Sequence, residues 1–458
     1  MNRRAFLTGL AASAAAQRTS KPMNIVLILA DDLGWTDLGC YGADLHETPN
    51  LDRLAKEGVR FTDAHSASPV CSPTRAAIMT GKHPARLKIT IWREGSLRTG
   101  ANARLVQAES KPNLAHEETT IAEVLQSRGY MTGIVGKWHL GDGDFYPETQ
   151  GFDINIGGTH WGAPETYFYP YRGEKAFREF RYMPGLFGGK KGEYLTDRLT
   201  DEALRVIDLA GNQPFFLYLA HHSPHTPIEA KPELIDHYKK KLKPGMNHQN
   251  ATYAAMVHSL DESVGRVLKH LELRGHASNT AVIFMSDNGG FIGRAQNQVV
   301  TNNAPLRSGK GSVYEGGVRV PLIIRAPGAA RGKECNVPVI ASDLFATIQE
   351  LAGATGPSHD GLSLTPLLKN PQGKLSRSEM FFHYPHYYAT TTPVSAIRDG
   401  DWKLVHYYED DKVELYNLAS DFGEKTDLSK VETARRDRML TRLNEWLREA
   451  GANFPRKP

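Results

Sequence analysis

The stretch "NIVLILADD", from Asn24 to Asp32, decides the fold of this chain. Its apolar residues form one continuous run of strand length, without the alternation of apolar and polar residues that a half-exposed strand shows. Such a run is typical of a parallel strand that is buried on both faces. The run ends in two adjacent acids, Asp31 and Asp32. We therefore expect a buried strand whose carboxyl end carries polar chemistry.

Three further stretches show the same arrangement of a buried strand that ends in polar residues. Residues 119–141, "TTIAEVLQSRGYMTGIVGKWHLG", predict a helix that ends at Gly129 and then a short strand. Residues 214–227, "PFFLYLAHHSPHTP", and residues 280–290, "TAVIFMSDNGG", each predict another buried strand. The polar residues that follow these strands are Lys137, His139, His221, His222, His225, Asp287 and Asn288.

Polar groups beyond the carboxyl ends of several buried strands meet in one crevice of an open, doubly wound sheet. Helical patterns, such as the one over Tyr253 to Gly275, supply its covering layers. After Leu368 the pattern changes to short alternating strands with turns between them, followed by an amphipathic helix. The sequence therefore predicts an α/β domain over residues 22–368, with a mixed, mainly parallel central sheet flanked by helices. A small C-terminal antiparallel α+β subdomain is expected over residues 369–458.

The composition is that of an ordinary globular protein. Of the 458 residues, 40% are hydrophobic and 23% are charged, and a net charge of +4 is spread along the chain. This distribution gives no electrostatic footprint for nucleic acid. The basic run "HYKKKLKPG", residues 237–245, is interpreted as a solvated helix face. We therefore expect no nucleic-acid partner.

The N-terminal residues 1–17, "MNRRAFLTGLAASAAAQ", resemble a twin-arginine export signal. Arg3 and Arg4 are followed by a short apolar stretch and by small residues suited to cleavage. The apolar part is well short of the ~20 residues that span a bilayer, and no later segment reaches that length. The sequence therefore predicts an exported bacterial protein, periplasmic or extracellular, without stable membrane insertion.

Three cysteines, Cys40, Cys71 and Cys335, are too few and too scattered for a disulfide framework. Their spacing does not decide whether Cys40 and Cys335 pair. Cys71 is set apart from them by its position in the segment "CSPTRAAIMTG", where it opens what reads as the first turn of a helix.

The acids at the strand ends predict a metal site. Asp31, Asp32, Asp287 and Asn288 supply hard oxygen ligands, and the mutual repulsion of the three carboxylates is costly without a cation. The set predicts Ca²⁺, with Mg²⁺ as the other possibility. Zinc is disfavoured because His and Cys are not the majority of the set.

A second group of side chains is cationic or titratable and lies in turns punctuated by Gly or Pro, where side chains bind rather than pack. Such a group suits a tetrahedral anion. "LRSGKGSVYEGG", residues 306–317, fails the phosphate-loop pattern because Gly follows the lysine and Ala304 stands where the first Gly is required. Nucleotide chemistry is therefore disfavoured. The members of this group are Arg75, Lys137, His139, His225 and Lys310.

The segment "CSPTR", residues 71–75, resembles the signature of type I, formylglycine-dependent sulfatases, which are arylsulfatase-like members of the alkaline phosphatase-like superfamily. The resemblance continues in order through "GKWHLG", "PHTP", "SDNGG" and "GKGSVYEGGVRVP". It covers nearly the whole chain from Asn24 to the segment "ELYNLASD". Several spaced motifs in the same order make this signal far more specific than the five-residue pattern alone.

The resemblance implies a nucleophile and its partners. Cys71 would be converted to formylglycine (3-oxoalanine) by a formylglycine-generating enzyme or an anaerobic sulfatase-maturing enzyme, and its hydrated aldehyde would attack sulfur. A helix N-terminus and Arg75 beside this group would favour negative charge. The implied cation ligands are Asp31, Asp32, Asp287, Asn288 and the formylglycine made from Cys71.

The resemblance also implies roles for the remaining residues. Lys137 and Lys310 would bind sulfate oxygens. His225, helped by Lys310, would protonate the leaving alcohol, and His139 would take a proton so that sulfate is expelled and the aldehyde regenerated. A further polar residue for substrate binding is either Thr159 or His160.

The implied substrate is an O-sulfated carbohydrate. Aromatic residues in "NIGGTHWGAPETYFYPYRG", 155–173, and "FFHYPHYYATTTP", 381–393, suit sugar rings, although an interface between domain and subdomain also explains them. Alternatives within the same superfamily are an aryl sulfatase, a phosphodiesterase or a phosphonate monoester hydrolase. A non-catalytic receptor for sulfated glycans is the alternative from another class.

Overall fold

The computed structural model describes residues 22–96 and 103–458. The export signal predicted at residues 1–17 lies outside them. The described strands are β1 (Asn24–Ala30), β2 (Val59–Phe61), β3 (Ala64–His65), β4 (Met131–Gly136), β5 (Ile154–Ile156), β6 (Phe215–Ala220), β7 (Thr280–Ser286), β8 (Arg294–Ala295), β9 (Gln298–Val299), β10 (Leu322–Arg325), β11 (Lys333–Cys335), β12 (Val339–Ile340), β13 (Glu379–Tyr384), β14 (Val394–Asp399), β15 (Trp402–Tyr407) and β16 (Val413–Asn417).

The described α-helices, which with the sheets form the layers of the fold, are α1 (Pro49–Glu57), α2 (Cys71–Thr80), α3 (Pro84–Leu87), α4 (Arg93–Ser96), α5 (Ile121–Gln126), α6 (Leu195–Ala210), α7 (Pro232–Lys241), α8 (Ala251–Leu273), α9 (Glu315–Val318), α10 (Asp343–Leu351), α11 (Thr365–Lys369) and α12 (Thr433–Glu449). None of the described helices is long and apolar enough to cross a membrane.

Strand β1 lies inside the central sheet and is buried on both faces. Ile25, Leu27 and Leu29 belong to one hydrophobic cluster, whereas Val26 and Ile28 belong to another. Successive side chains of a strand point to opposite faces, so each face of β1 is covered by its own apolar layer. The run of β1 is therefore continuously apolar because both faces of the strand are buried, as the sequence predicts.

The central sheet contains eight described strands in the spatial order β11, β2, β10, β7, β1, β6, β4, β5. Strands β7, β1, β6, β4 and β5 are parallel, with Ile28 of β1 opposite Leu219 and Phe284. Strand β10 is antiparallel to both of its neighbours, β2 and β7. The prediction of a mixed, mainly parallel sheet is confirmed.

Helices cover the sheet on both sides. The cluster on one face includes residues of α1, α6 and α8, and the cluster on the other includes residues of α2, α5 and α10. Helix α8 begins before the predicted Tyr253 because the Asn250 side chain accepts hydrogen bonds from the backbone N–H groups of Thr252 and Tyr253. The helix before β4 begins at a capping box formed by Thr120 and Glu123.

A separate antiparallel sheet follows, in the order β13, β14, β15, β16. Helix α12 packs on it, and the rings of Phe381 and Trp446 stack 4.2 Å apart. The small antiparallel subdomain is thus present. The boundary at residues 368 and 369 falls within α11 and stays a prediction.

Buried ion pairs connect this second sheet to the main domain. Lys403 of β15 lies 2.7 Å from a carboxylate oxygen of Glu315 and 3.0 Å from one of Glu424. Arg398 of β14 binds both carboxylate oxygens of Asp63 at 2.6 Å. All three cysteines are free thiols, so Cys40 and Cys335 do not pair.

Candidate active site

The carboxyl ends of the parallel strands open into a cavity of about 320 Å³. Backbone hydrogen bonds fix the residues that leave these strands: the N–H of Asp287 donates to Ala30 at 3.1 Å, and that of Lys137 donates to Ala220 at 2.7 Å. Because neighbouring parallel strands end together, their next side chains converge on one place. The predicted residues that line the cavity are Asp32, Cys71, His139, His225 and Lys310.

The strand-end acids form a tight cluster. Oxygens of Asp31 and Asp287 and the sulfur of Cys71 all lie within 4.8 Å of one another. The Asn288 side-chain amide donates to Asp32 Oδ1 at 2.8 Å. Asp32 has φ of +65°, which turns the chain sharply at the end of β1. The structure therefore brings together the four residues proposed as metal ligands.

This cluster fits a hard divalent cation. Asp31 Oδ1 and Asn288 Oδ1 are buried and have no hydrogen-bond partner. Burial raises the pKa of Asp31 well above its usual range, Lys137 opposes this effect, and Asp287 and Asp32 add to it. For Asp32, burial also acts to raise the pKa, but Lys310 and His225 lower it to about 2. Unpartnered oxygens among crowded carboxylates are the donors that Ca²⁺ and Mg²⁺ take.

Three cations lie against the acids. Lys137 Nζ donates to Asp31 Oδ2 at 2.7 Å, and Lys310 Nζ lies 2.7 Å and 2.8 Å from the two oxygens of Asp32. Although burial lowers the pKa of Lys310, Asp32 raises it well above its usual range. Arg75 donates through Nε to Asp287 at 2.9 Å. Three buried cations therefore oppose three buried carboxylates in the site.

Cys71 is the first residue of α2 and is only 3% exposed. It follows Val70, which has extended backbone angles, and it precedes Pro73 in the first helical turn, as the sequence indicates. The unpaired N–H groups and the dipole of this ten-residue helix favour negative charge at its N-terminus. The thiol therefore lies where an anionic oxygen would be stabilised.

His139 is held in an uncommon backbone conformation, with φ of +60°. Its N–H donates to the carbonyl of Thr159 at 2.9 Å, and the Ser72 hydroxyl donates to the His139 carbonyl at 2.8 Å. The ring packs against Gly162, where a Cβ atom would lie 2.3 Å from it. Burial, reinforced by Lys137, lowers the pKa of His139 to about 4. The imidazole is therefore neutral at pH 7.

His225 lies on the other side of the cavity. Its Nε2 is 3.5 Å from Asp32 Oδ2, and its Nδ1 donates to the carbonyl of Thr226 at 2.8 Å. Burial, with Lys310 next, lowers the pKa of His225 well below its usual range. His221 instead bonds Ser263, and neither His221 nor His222 lines the cavity. Of the three histidines that follow β6, His225 is the one that lines the cavity.

Several residues that line the cavity were missed from the sequence. Glu94 lies 4.0 Å from His139 Nε2, Arg181 lies on the connection between β5 and α6, and Tyr388 follows β13. The hydroxyl of Thr390 donates to the carbonyl of Lys310 at 2.7 Å. The C-terminal subdomain therefore contributes to the cavity wall. The features of the sequence that point to this wall are the length of the connection between β5 and α6, which contains Arg181, and the glycine-rich loop around Lys310.

His160 does not line the cavity. Its Nδ1 is 3.1 Å from the Tyr146 hydroxyl, and its ring stacks on that of Tyr146. Tyr167 and Tyr171, from the aromatic stretch suited to sugar rings, are fully buried core residues. A substrate-binding role for His160 or Thr159 stays a prediction.

Comparisons with known proteins relate this chain to sulfatases. The family model described as Sulfatase matches residues 23–354, and the model described as N-sulphoglucosamine sulphohydrolase, C-terminal, matches residues 309–452. A sulfatase from Formosa agariphila is 34% identical, over 96% of this chain and 91% of the relative. N-acetylgalactosamine-6-sulfatase from Homo sapiens is also 34% identical, over 96% of this chain and 87% of the relative.

Among solved structures, that of Ps i-CgsB in complex with k-i-k-neocarrahexaose has a TM-score of 0.76 and 33% identity, and the match covers 93% of each chain. The fold and the charged cavity at its sheet edge define the class: a hydrolase of the alkaline phosphatase-like architecture. Within that class, this chain belongs to the sulfatase family and is a sulfuric ester hydrolase.

Proposed function

We propose that this protein hydrolyses O-sulfate esters of carbohydrates, with Cys71 converted to formylglycine and a divalent cation, Ca²⁺ or Mg²⁺, bound beside it. The observation that carries the proposal is the Cys71 sulfur within 4.8 Å of carboxylate oxygens of Asp31 and Asp287. The carbohydrate is supported by relatives named for N-acetylgalactosamine-6-sulfate chemistry and by the solved complex with a neocarrahexaose.

The proposed site also requires a divalent cation and a formylglycine residue. Asp31, Asp32, Asp287 and Asn288 would hold the cation, which when bound neutralises the carboxylates and stabilises negative charge on oxygen. Formylglycine, in its hydrated form, supplies a hydroxyl nucleophile at the position of Cys71. Its partner in the cell is a formylglycine-generating or anaerobic sulfatase-maturing enzyme. The twin-arginine pattern at residues 1–17 supports an exported, periplasmic or extracellular enzyme.

Lys137 and Lys310 are the groups that bind the sulfate oxygens. Both are nearly or fully buried, so their charge acts on a bound anion with little screening by water. Arg75 holds Asp287 and adds positive charge near Cys71. Together these cations stabilise the charge that builds up on the sulfuryl oxygens as the ester bond breaks.

His225 and His139 transfer protons at two different places, His225 at the leaving alcohol and His139 beside Cys71. A bound sulfate monoester adds negative charge beside His225 and raises its pKa, so that the protonated ring can donate to the leaving alcohol. His139 is neutral at pH 7, because burial lowers its pKa to about 4, and it can accept a proton on the side of Cys71. The two imidazoles therefore suit opposite tasks.

The first test is mass spectrometry of the Cys71 peptide from the native protein, together with sulfate release from sulfated sugars. Conversion to the aldehyde lowers the peptide mass by about 18 Da relative to the thiol. We expect this loss, with turnover of a sulfated sugar above that of an aryl sulfate or a phosphate diester. An active protein with an unmodified thiol contradicts the mechanism, and preference for another ester contradicts the substrate.

A further inference from the structure

The connection between β5 and α6, residues 157–194, contains no helix and no strand of more than a bridge. Connections of this length without secondary structure are uncommon in compact domains and are usually functional. Part of it folds back on itself, because Gly173 and Arg181 exchange two backbone hydrogen bonds, at 2.8 and 3.1 Å. This part, with the residues up to 192, forms a ledge beside the cavity; we call residues 172–192 the cavity ledge.

Side chains of the ledge alternate between two sides. Phe177, Glu179 and Arg181 line the catalytic cavity, whereas Phe180 and Tyr182 line a separate groove of about 170 Å³. Because Glu179 and Arg181 alternate along the chain with Phe180 and Tyr182, this short segment lies between the cavity and the groove.

The groove is lined by exposed aromatic rings. Phe180 is 55% exposed, Tyr182 is 42% exposed and Phe187 is 76% exposed. In the described part of the chain, Phe454 is the other aromatic residue among the exposed large hydrophobic side chains. Burying large rings is favourable, so a cluster of them left in water marks a binding surface.

The exposed charges of the ledge are mainly positive. Arg172 lines the groove itself. The two exposed acids are Glu174 and Glu179, and Glu179 faces the cavity instead. The exposed basic residues are Arg172, Lys175, Arg178, Lys190 and Lys191.

We propose that the groove binds the adjoining anionic sugar units of a sulfated glycan whose reacting ring occupies the cavity. The inference rests on the proposed function and extends it from one sugar to a chain. Aromatic rings stack on the apolar faces of sugars, and Arg172 meets a sulfate or carboxylate on the next unit. A second copy of this protein fits poorly, because a two-fold contact would place the two positive ledges against each other.

The test compares two substrates that carry the same sulfated ring, one a monosaccharide and the other a tetrasaccharide, with the matured enzyme. The variants are Phe187→Ala, Phe180→Ala and Arg172→Gln, and Phe454→Ala is the control with a matched exposed ring. We expect each ledge variant to lower kcat/KM for the tetrasaccharide by about fivefold and to leave the monosaccharide value within about twofold. Added salt should weaken the tetrasaccharide preference.

Equal effects on both substrates, or no tetrasaccharide preference in the unmodified sequence, would overturn the inference. So would a dimer in solution that Phe187→Ala converts to a monomer, because the face would then be a self-interface. Calorimetric binding of the tetrasaccharide to Cys71→Ala, with and without Phe187→Ala, separates this inference from the proposed function. Loss of affinity with Phe187→Ala supports the groove even if no ester is hydrolysed, and unchanged affinity rejects it.

Discussion

At the scale of single residues, Arg75 joins three parts of the site. Its Nε donates to Asp287 at 2.9 Å, and its Nη1 donates to the carbonyl of Lys137 at 2.9 Å. The side chain is fully buried. A planar guanidinium can make these bonds in fixed directions, whereas an ammonium group on a flexible stem cannot. The position of α2, the helix that bears Cys71, therefore depends on the planar guanidinium group of Arg75.

We predict that Arg75→Lys lowers kcat/KM by about 100-fold and the free energy of unfolding by about 3 kcal/mol, because it leaves a buried carboxylate and carbonyl without partners. Steady-state kinetics and thermal unfolding measure these effects. Arg86→Lys, which alters an exposed ion pair with Asp360, is the control and should change neither quantity appreciably. A fully active Arg75→Lys enzyme would show that charge alone suffices.

Glu94, which lies beside His139, should affect the pH below which the reaction slows. Burial and Lys137 lower the pKa of His139 to about 4, and Glu94 acts in the opposite direction. As pH falls through about 4, the ring gains a proton and can no longer take the role of base proposed for it. We predict that Glu94→Gln lowers this pKa further, so that the acid limb of kcat moves to lower pH. A pH–rate profile checks this prediction, and recovery of activity on return to pH 7 shows that the loss is reversible. An acid limb that stays at the same pH would mean that a group other than His139 causes it.

The sequence could identify the charged residues that directly follow strands, because the apolar run fixes where each strand ends. Asp31 and Asp287 are of this kind. Glu94, Arg181 and Tyr388 could not be identified, since Glu94 lies in a helix of only four residues, the other two lie outside helices and strands, and only tertiary packing brings them to the cavity. The aromatic residues Tyr167 and Tyr171 were ambiguous because composition does not distinguish a ring that packs in the core from one that meets a sugar.

At the scale of elements, the end of β4 depends on a glycine. Gly136 has φ of +103°, and a Cβ atom there would lie 2.0 Å from the carbonyl oxygen of Ala220 on β6. The next residue, Lys137, enters the site directly from this close contact. The close approach of β4 and β6 therefore fixes where the ammonium group of Lys137 can reach.

We predict that Gly136→Ala lowers the free energy of unfolding by about 3 kcal/mol and impairs sulfate binding, because both the backbone angle and the space exclude a methyl group. The control is Gly129→Ala, where φ is also positive, +78°, but nothing lies within 4 Å of the added atom. It should cost only about 1 kcal/mol and leave KM unchanged. Equal losses for the two variants would mean that backbone strain alone, without the clash, explains the effect.

At the scale of the whole molecule, the central sheet and the C-terminal antiparallel sheet are joined through buried charges. Glu424 Oε2 accepts a hydrogen bond from the N–H of Glu315 at 2.7 Å, and Lys403 lies 3.0 Å from Glu424 Oε1. Burial raises the pKa of Glu424 to about 7, with Lys403 opposing and Glu315 adding to the shift. The junction therefore holds two acids around one lysine.

The raised pKa of Glu424 predicts how the stability of the fold changes with pH. The folded protein binds the Glu424 proton more tightly than the unfolded chain, so this group stabilises the fold at low pH and the stabilisation is lost as pH rises from about 4.5 to about 7. Glu424→Gln removes that dependence. Its melting temperature relative to the unsubstituted protein should therefore be higher at pH 8 than at pH 5. Exposed Glu117→Gln should show no such difference, and a constant offset for Glu424→Gln would contradict the assignment.

The burial of α2 has a consequence for the order of events in the life of the chain. Every residue from Cys71 to Thr80 is buried in the finished fold, so another enzyme's active site cannot surround this thiol once folding is complete. Any enzyme that modifies Cys71 must act on the nascent or unfolded polypeptide. Transport of a folded protein, as a twin-arginine signal implies, can only come later. In the proposed function, oxidation of the thiol therefore precedes closure of the fold, and the proposed export follows both, so that the compartment of synthesis would decide whether the enzyme is active.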